Sequence, residues 1–120
     1  MEWMIEKATE YGVSAFQPLL SMHCIRSHFN SKRLESVALS AMKQSLQCYC
    51  PEIYPIQSFE SFVKKKSDSF GLMAYTPERK KSFKSTWPAL SNTKGITAIV
   101  GPEGGFTKDE ANLASNSGFT

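Results

Sequence analysis

The chain has 120 residues, 41% of them hydrophobic and 21% charged, which suits one globular domain with its own core and excludes a disordered chain. Its net charge is +3, and no apolar run approaches the roughly 20 residues of a membrane-spanning helix. Three cysteines, Cys24, Cys48 and Cys50, are too few and odd in number for a disulfide framework, so a reducing cytoplasm is the expected setting.

Met1 leads into Glu2, Glu6 and Lys7 rather than a secretory signal. Residues 2–11 read as a helix, with Met1, Ile5 and Ala8 on one face, Met4 and Tyr11 close by, and Gly12 placed to end it. Residues 13–20 are strand-like up to Pro18, and residues 23–29 suggest a second extended piece. Leu34, Val37, Ala38, Ala41, Met42 and Ser45 follow helical spacing, predicting a helix over 32–47 capped by Asn30 or Ser31. A short extended segment follows at 52–56, then one or two helical turns over 58–66. "FGLMAYT" (70–76) and "GITAIVG" (95–101) read as buried strands, the second more clearly. Residues 78–94 are a polar, lysine-rich connection broken by Pro88. "NSGFT" (116–120) reads as a helix stop followed by the first residues of another strand. Helix and strand signals alternate, which predicts an α/β domain with a mainly parallel sheet flanked by helices.

Charge is unevenly spread. Residues 1–60 carry five basic and six acidic side chains, residues 61–94 eight and two, and residues 95–120 one and three. A basic middle third suits a polyanionic partner, and Lys64, Lys65, Lys66, Arg79, Lys80 and Lys81 are the candidate RNA contacts. A solvated lysine-rich surface is the plainer reading.

"AIVGPEGGFTKDE" (98–110) carries the strongest local signal. A β-branched strand ends in a glycine-rich loop, and Thr107 with Glu110 fits a capping box. In open α/β sheets, ligands bind beyond the carboxyl ends of strands, where this loop lies. The loop lacks the Gly-Lys-Ser/Thr of a P-loop and the G-x-G-x-x-G of a dinucleotide site, and Glu103 would repel a polyphosphate. A cationic or neutral ligand with polar edges fits better, and a bare turn stays open on spacing alone.

Together, residues 2–21, 32–45, 51–56 and 98–110 resemble the RsmE-type family of ribosomal RNA uridine methyltransferases. The match runs in the same order over nearly the whole chain, and "EKATE-GV" and "GPEGGF" are its most specific parts. The resemblance implies the SPOUT α/β-knot fold and S-adenosylmethionine-dependent methylation of a uridine N3 in 16S ribosomal RNA by a homodimer. It implies a cofactor wall over Ile99, Val100, Gly101, Pro102, Glu103, Gly104, Gly105 and Phe106, with Tyr75 and Thr76 as a second, weaker candidate. It also implies that the family's RNA-binding barrel precedes this segment and that its knot-closing segment follows Thr120. The chain then corresponds to part of a methyltransferase domain, expected to be inactive alone. An anion- or nucleotide-binding module and a non-catalytic RNA-binding or dimerisation fragment are the alternatives.

Two departures from the family stand out. Met22 and His23 replace its Glu-Arg pair, which unsettles any role of that pair, and Gln47 replaces a basic contact. Methyl transfer from a sulfonium needs no metal, and the remaining task is to align donor and uridine N3 and to manage its proton. Glu103 is the candidate for that proton, or for fixing the loop by hydrogen bonds. His23, Cys24, His28, Cys48 and Cys50 do not follow the spacing of a standard zinc site, so no metal is expected. Trp3, Phe16 and Tyr75 suit base stacking or the core, and Gln44 suits RNA contact or a helix end.

Overall fold

The computed structural model describes residues 1–25, 29–65, 68–75 and 93–120. In chain order its elements are α1 (Glu2–Glu10), β1 (Ala15–Phe16), β2 (Leu19–Leu20), α2 (Ser31–Gln44), β3 (Glu52–Ile53), β4 (Gln57–Ser58), α3 (Phe59–Lys64), β5 (Phe70–Ala74), β6 (Ile96–Val100) and α4 (Lys108–Asn116). They group into two compact units, Met1–Leu19 with Arg26–Gln57, and Leu20–Ile25 with Ser58–Thr120.

In the first unit α1 packs on α2. Ile5, Leu34 and Ala38 form the buried centre, with Phe16, Phe29, Val37 and Ile53 around it. Alanines at 38 and 41 leave room for the backbones to approach. Full burial of Ile5 or Leu34 stabilises by about 1.5–3 kcal/mol each. The apolar face of α1 is narrower than its spacing suggests. Met1, Met4 and Tyr11 are exposed, because only the line through Ile5 and Thr9 meets buried partners, and Tyr11 lies past the last turn. Gly12 ends the helix at φ +81° as expected. Asn30 caps α2, its side chain accepting from the Arg33 amide at 3.1 Å.

β1 and β3 pair in parallel, Ala15 opposite Glu52 and Phe16 opposite Ile53. The extended stretch over 13–20 is interrupted at Gln17-Pro18, since Pro18 has no amide hydrogen to donate. α2 stops at Gln44, three residues short of the expected end, with Leu46 at φ 55°. Beyond it, the Gln47 side-chain amide donates to the Glu10 carbonyl at 3.0 Å and the Tyr49 hydroxyl to the Gly12 carbonyl at 2.7 Å. Gln47, where the family resemblance loses a basic contact, here satisfies a carbonyl at the end of α1. Gln44 lines a shallow groove of about 210 Å³ with Glu6, Ser36 and Ser40.

In the second unit β5 and β6 pair in parallel over five residues, from Phe70 opposite Ile96 to Ala74 opposite Val100. Phe59, Val63, Ile99, Phe106 and Ala114 are its buried hydrophobic residues among those described. Ser58 caps α3, its Oγ accepting from the Ser61 amide at 3.2 Å. β6 is not buried on both faces. Ile99 is 4% exposed, whereas Ile96 and Val100 are 55% and 63% exposed. The period of two sends Ile99 inward and its neighbours outward, so an unbroken apolar run here does not mean two covered faces.

The strand expected at the end begins as read. Phe119 bridges Gly71 in parallel, the Thr120 amide donates to the Gly71 carbonyl at 3.0 Å, and the Met73 amide donates to the Thr120 carbonyl at 2.9 Å. β5 therefore carries β6 on one edge and Phe119–Thr120 on the other. Residues 23–29 do not form the expected extended piece where they are described: Met22–His23 is a turn.

Candidate functional site

β5 and β6 run in the same direction, so their carboxyl ends lie side by side at Ala74 and Val100. The register places Tyr75 level with Gly101. From there the chain turns sharply, with the Gly105 amide donating to the Pro102 carbonyl at 2.8 Å. Gly105 has φ +67°, and no atom lies within 4 Å of where its Cβ would stand, so there is open space beside the loop there. Glu103 and Gly104 are exposed at the tip.

Phe106 turns back into the core, its ring centroid 5.2 Å from that of Phe59. Thr107 then starts α4 with the expected capping box. The Glu110 amide donates to Thr107 Oγ1 at 3.2 Å, and Glu110 Oε2 accepts from the Thr107 amide at 2.8 Å. The other oxygen, Glu110 Oε1, accepts from the Met22 amide at 2.8 Å. His23 follows, with Nδ1 3.0 Å from the Gly104 carbonyl oxygen and 3.3 Å from that of Gly105. A carbonyl oxygen only accepts, so Nδ1 carries the ring hydrogen.

The contiguous run Ile99–Phe106 thus forms one surface-to-core segment. Ile99 and Phe106 commit their side chains to the core, while Val100 and Glu103 present theirs at the surface. Tyr75 is half-buried beside them. Thr76, Lys66, Arg79, Lys80 and Lys81 lie outside the described residues, as does His28. Lys64 is ion-paired with Glu60 at 2.5 Å, and Lys65 is exposed. Trp3 is 72% exposed, whereas Phe16 packs against the core of the first unit. Cys48 and Cys50 are exposed and Cys24 partly buried. Among the described residues no three His, Cys, Asp or Glu side chains gather to hold a metal ion, and no helix is long and apolar enough to cross a membrane.

Sequence reasoning missed Met22, His23 and the second bond of Glu110. The capping box was visible as local spacing. The contact of His23 with residues 81 and 82 positions later had no local signal, and only its departure from the family pattern marked it.

The family model for the RNA methyltransferase domain matches residues 1–120. This chain belongs to that family. Among RNA methyltransferase domain relatives, ribosomal RNA small subunit methyltransferase E of Rickettsia conorii is 35% identical over 115 residues, covering 93% of this chain and 46% of that protein. The same enzyme from Neisseria gonorrhoeae, solved bound to S-adenosylmethionine, superposes with TM-score 0.84 at 29% identity over 100% of this chain and 50% of that one. A Legionella pneumophila methyltransferase solved with the same cofactor gives TM-score 0.86 at 25% identity, covering 99% and 50%. The fold is therefore that of SPOUT-type α/β methyltransferases. The chain spans about half the length of the curated relatives it matches.

Proposed function

We propose that this chain supplies the cofactor-binding part of a methyltransferase that uses S-adenosylmethionine to methylate N3 of a uridine in 16S ribosomal RNA. The observation that carries the reading is the loop Gly101–Phe106 at the carboxyl end of β6, in a chain whose whole length matches the family. The residues suit this cofactor. Gly105 has open space beside it, and the loop holds a carboxylate, Glu103, but no lysine. That favours a cation over a phosphate.

When bound, the cofactor supplies a methyl group already activated on a sulfonium. Residues Ile99–Phe106 form one wall of its site, and Tyr75 with Thr76 is the second, weaker candidate for the same pocket. The buried Ile99 and Phe106 hold that wall in place from the core side. The exposed Glu103 is the loop's candidate for accepting the uridine N3 proton or stabilising the charge that replaces it. Lys64, Lys65, Lys66, Arg79, Lys80 and Lys81 attract the RNA backbone. By the same resemblance the enzyme works as a homodimer, and its three cysteines, odd in number, suit a reducing cytoplasm.

Calorimetry on the protein at its full natural length, titrated with S-adenosylmethionine and separately with ATP, tests the reading. Binding of the methyl donor alone is expected. Binding of ATP with no response to the methyl donor overturns it.

A further inference from the structure

We propose that His23 is a positioning residue, whose imidazole sets the backbone of Gly104–Gly105 in the shape that receives the methyl donor. The proposal rests on the cofactor reading above. Its first support is the pair of contacts from Nδ1 to the Gly104 and Gly105 carbonyls, at 3.0 and 3.3 Å. They make Nδ1 the donor to both carbonyls.

The second support is steric. A Cβ on Gly104 would stand 3.0 Å from His23 Cβ and 3.4 Å from its Cγ. The histidine therefore lies against the loop tip, at a distance that the missing side chain permits.

The third is that the turn carrying His23 is itself held. The Met22 amide donates to Glu110 Oε1 at 2.8 Å, and the Cys24 amide to the Ser21 carbonyl at 3.1 Å. Glu110 in turn caps the helix that leaves the loop. The contacts close a ring: His23 to Gly104, along the chain to Thr107, across to Glu110, and back to Met22. A loop tip tied at both its side and its exit loses less freedom when a ligand binds. Neither Met22 nor His23 is the residue type the family resemblance leads one to expect there, so the ring is a device of this chain's own residues.

The side-chain amide nitrogen of asparagine can take the place of Nδ1, whereas that of glutamine reaches further, like Nε2. The test is a series of His23→Ala, His23→Asn and His23→Gln in the native protein, with two readouts. One is hydrogen exchange of the Gly105 amide, bonded to Pro102 at 2.8 Å, in the absence of ligand. The other is the dissociation constant for S-adenosylmethionine. His23→Ala should speed the exchange and weaken donor binding by about fivefold to tenfold, the scale of one or two hydrogen bonds. His23→Asn should restore both and His23→Gln neither. Unchanged exchange in His23→Ala, or equal rescue by Asn and Gln, overturns the proposal. If the wild-type protein fails to bind the donor, the cofactor reading fails, and the ligand-free exchange still decides whether His23 holds the loop. If His23→Ala does not fold, the Asn and Gln variants compared with wild type decide it alone.

Discussion

The ring of Phe106 stands where a side chain on Gly101 would go. A Cβ there would lie 2.9 Å from Cε2 and 3.1 Å from Cδ2 of that ring. Phe106 is in turn packed 5.2 Å from Phe59, so it cannot retreat freely. Gly101→Ala should cost about 1–3 kcal/mol, the range for overpacking a core. Urea unfolding measures it. Adding Phe106→Leu should recover part of the loss, so that the double variant is less destabilised than the two single changes summed. Strict additivity would contradict the packing described.

Glu110 serves two partners with its two oxygens, Thr107 and Met22. Thr107→Ala removes the helix cap and should cost about 1 kcal/mol. Glu110→Ala removes the reciprocal bond and the tie to Met22 together, and should cost more than Thr107→Ala. Thermal unfolding of the two variants ranks them. The reverse order would show that the Met22 contact contributes nothing.

Lys64 beside Glu60 holds that carboxyl below its ordinary value of 4.5, chiefly by a hydrogen bond and then by charge. The folded pKa is depressed. The pair's contribution is therefore present above pH 4.5 and is lost as pH falls through the folded value. Both side chains are exposed, so the effect on stability is small. An NMR titration of Glu60 in wild type and Lys64→Gln should show the midpoint rising in the variant. An unmoved midpoint would mean that the pair does not form in solution.

Lys64 is engaged with Glu60 while Lys65 is exposed. If this face meets RNA, Lys65→Glu should weaken binding uniformly across sequences. It should also reduce the slope of log affinity against log salt by about 1. Binding measured from low to moderate salt decides it. An unchanged slope returns the lysine run to an ordinary solvated surface.

The legible parts of this molecule were those written in neighbouring residues. Asn30, Gly12, and Thr107 with Glu110 announced helix ends by type and spacing. The parallel strands 70–74 and 96–100 were visible as apolar runs. The extent of burial was not. "ITAIV" looks the same whether one face or two are covered, and coverage depends on which elements pack there. Pro18 marks a boundary in the sequence, but it divides a single expected strand into two short pieces because one missing amide hydrogen is enough. His23 was least legible, since its meaning comes from residues 104 and 105, and nothing in "SMHCIR" encodes that meeting.

The hydroxyls of Ser69 and Thr97 lie 2.6 Å apart at the start of the β5–β6 pair. In a strand reading "ITAIV", both alternations are mostly apolar, so hydrophobicity alone would tolerate a slip of one residue. Such a slip would part the two hydroxyls. The pair is thus pinned at its entrance by a polar contact. Alignment of the whole candidate loop with Tyr75 depends on a hydroxyl pair at the far end of the strand. Thr97→Val, which keeps the shape and removes that bond, is the change by which this chain would lose fidelity of strand alignment before it lost its core.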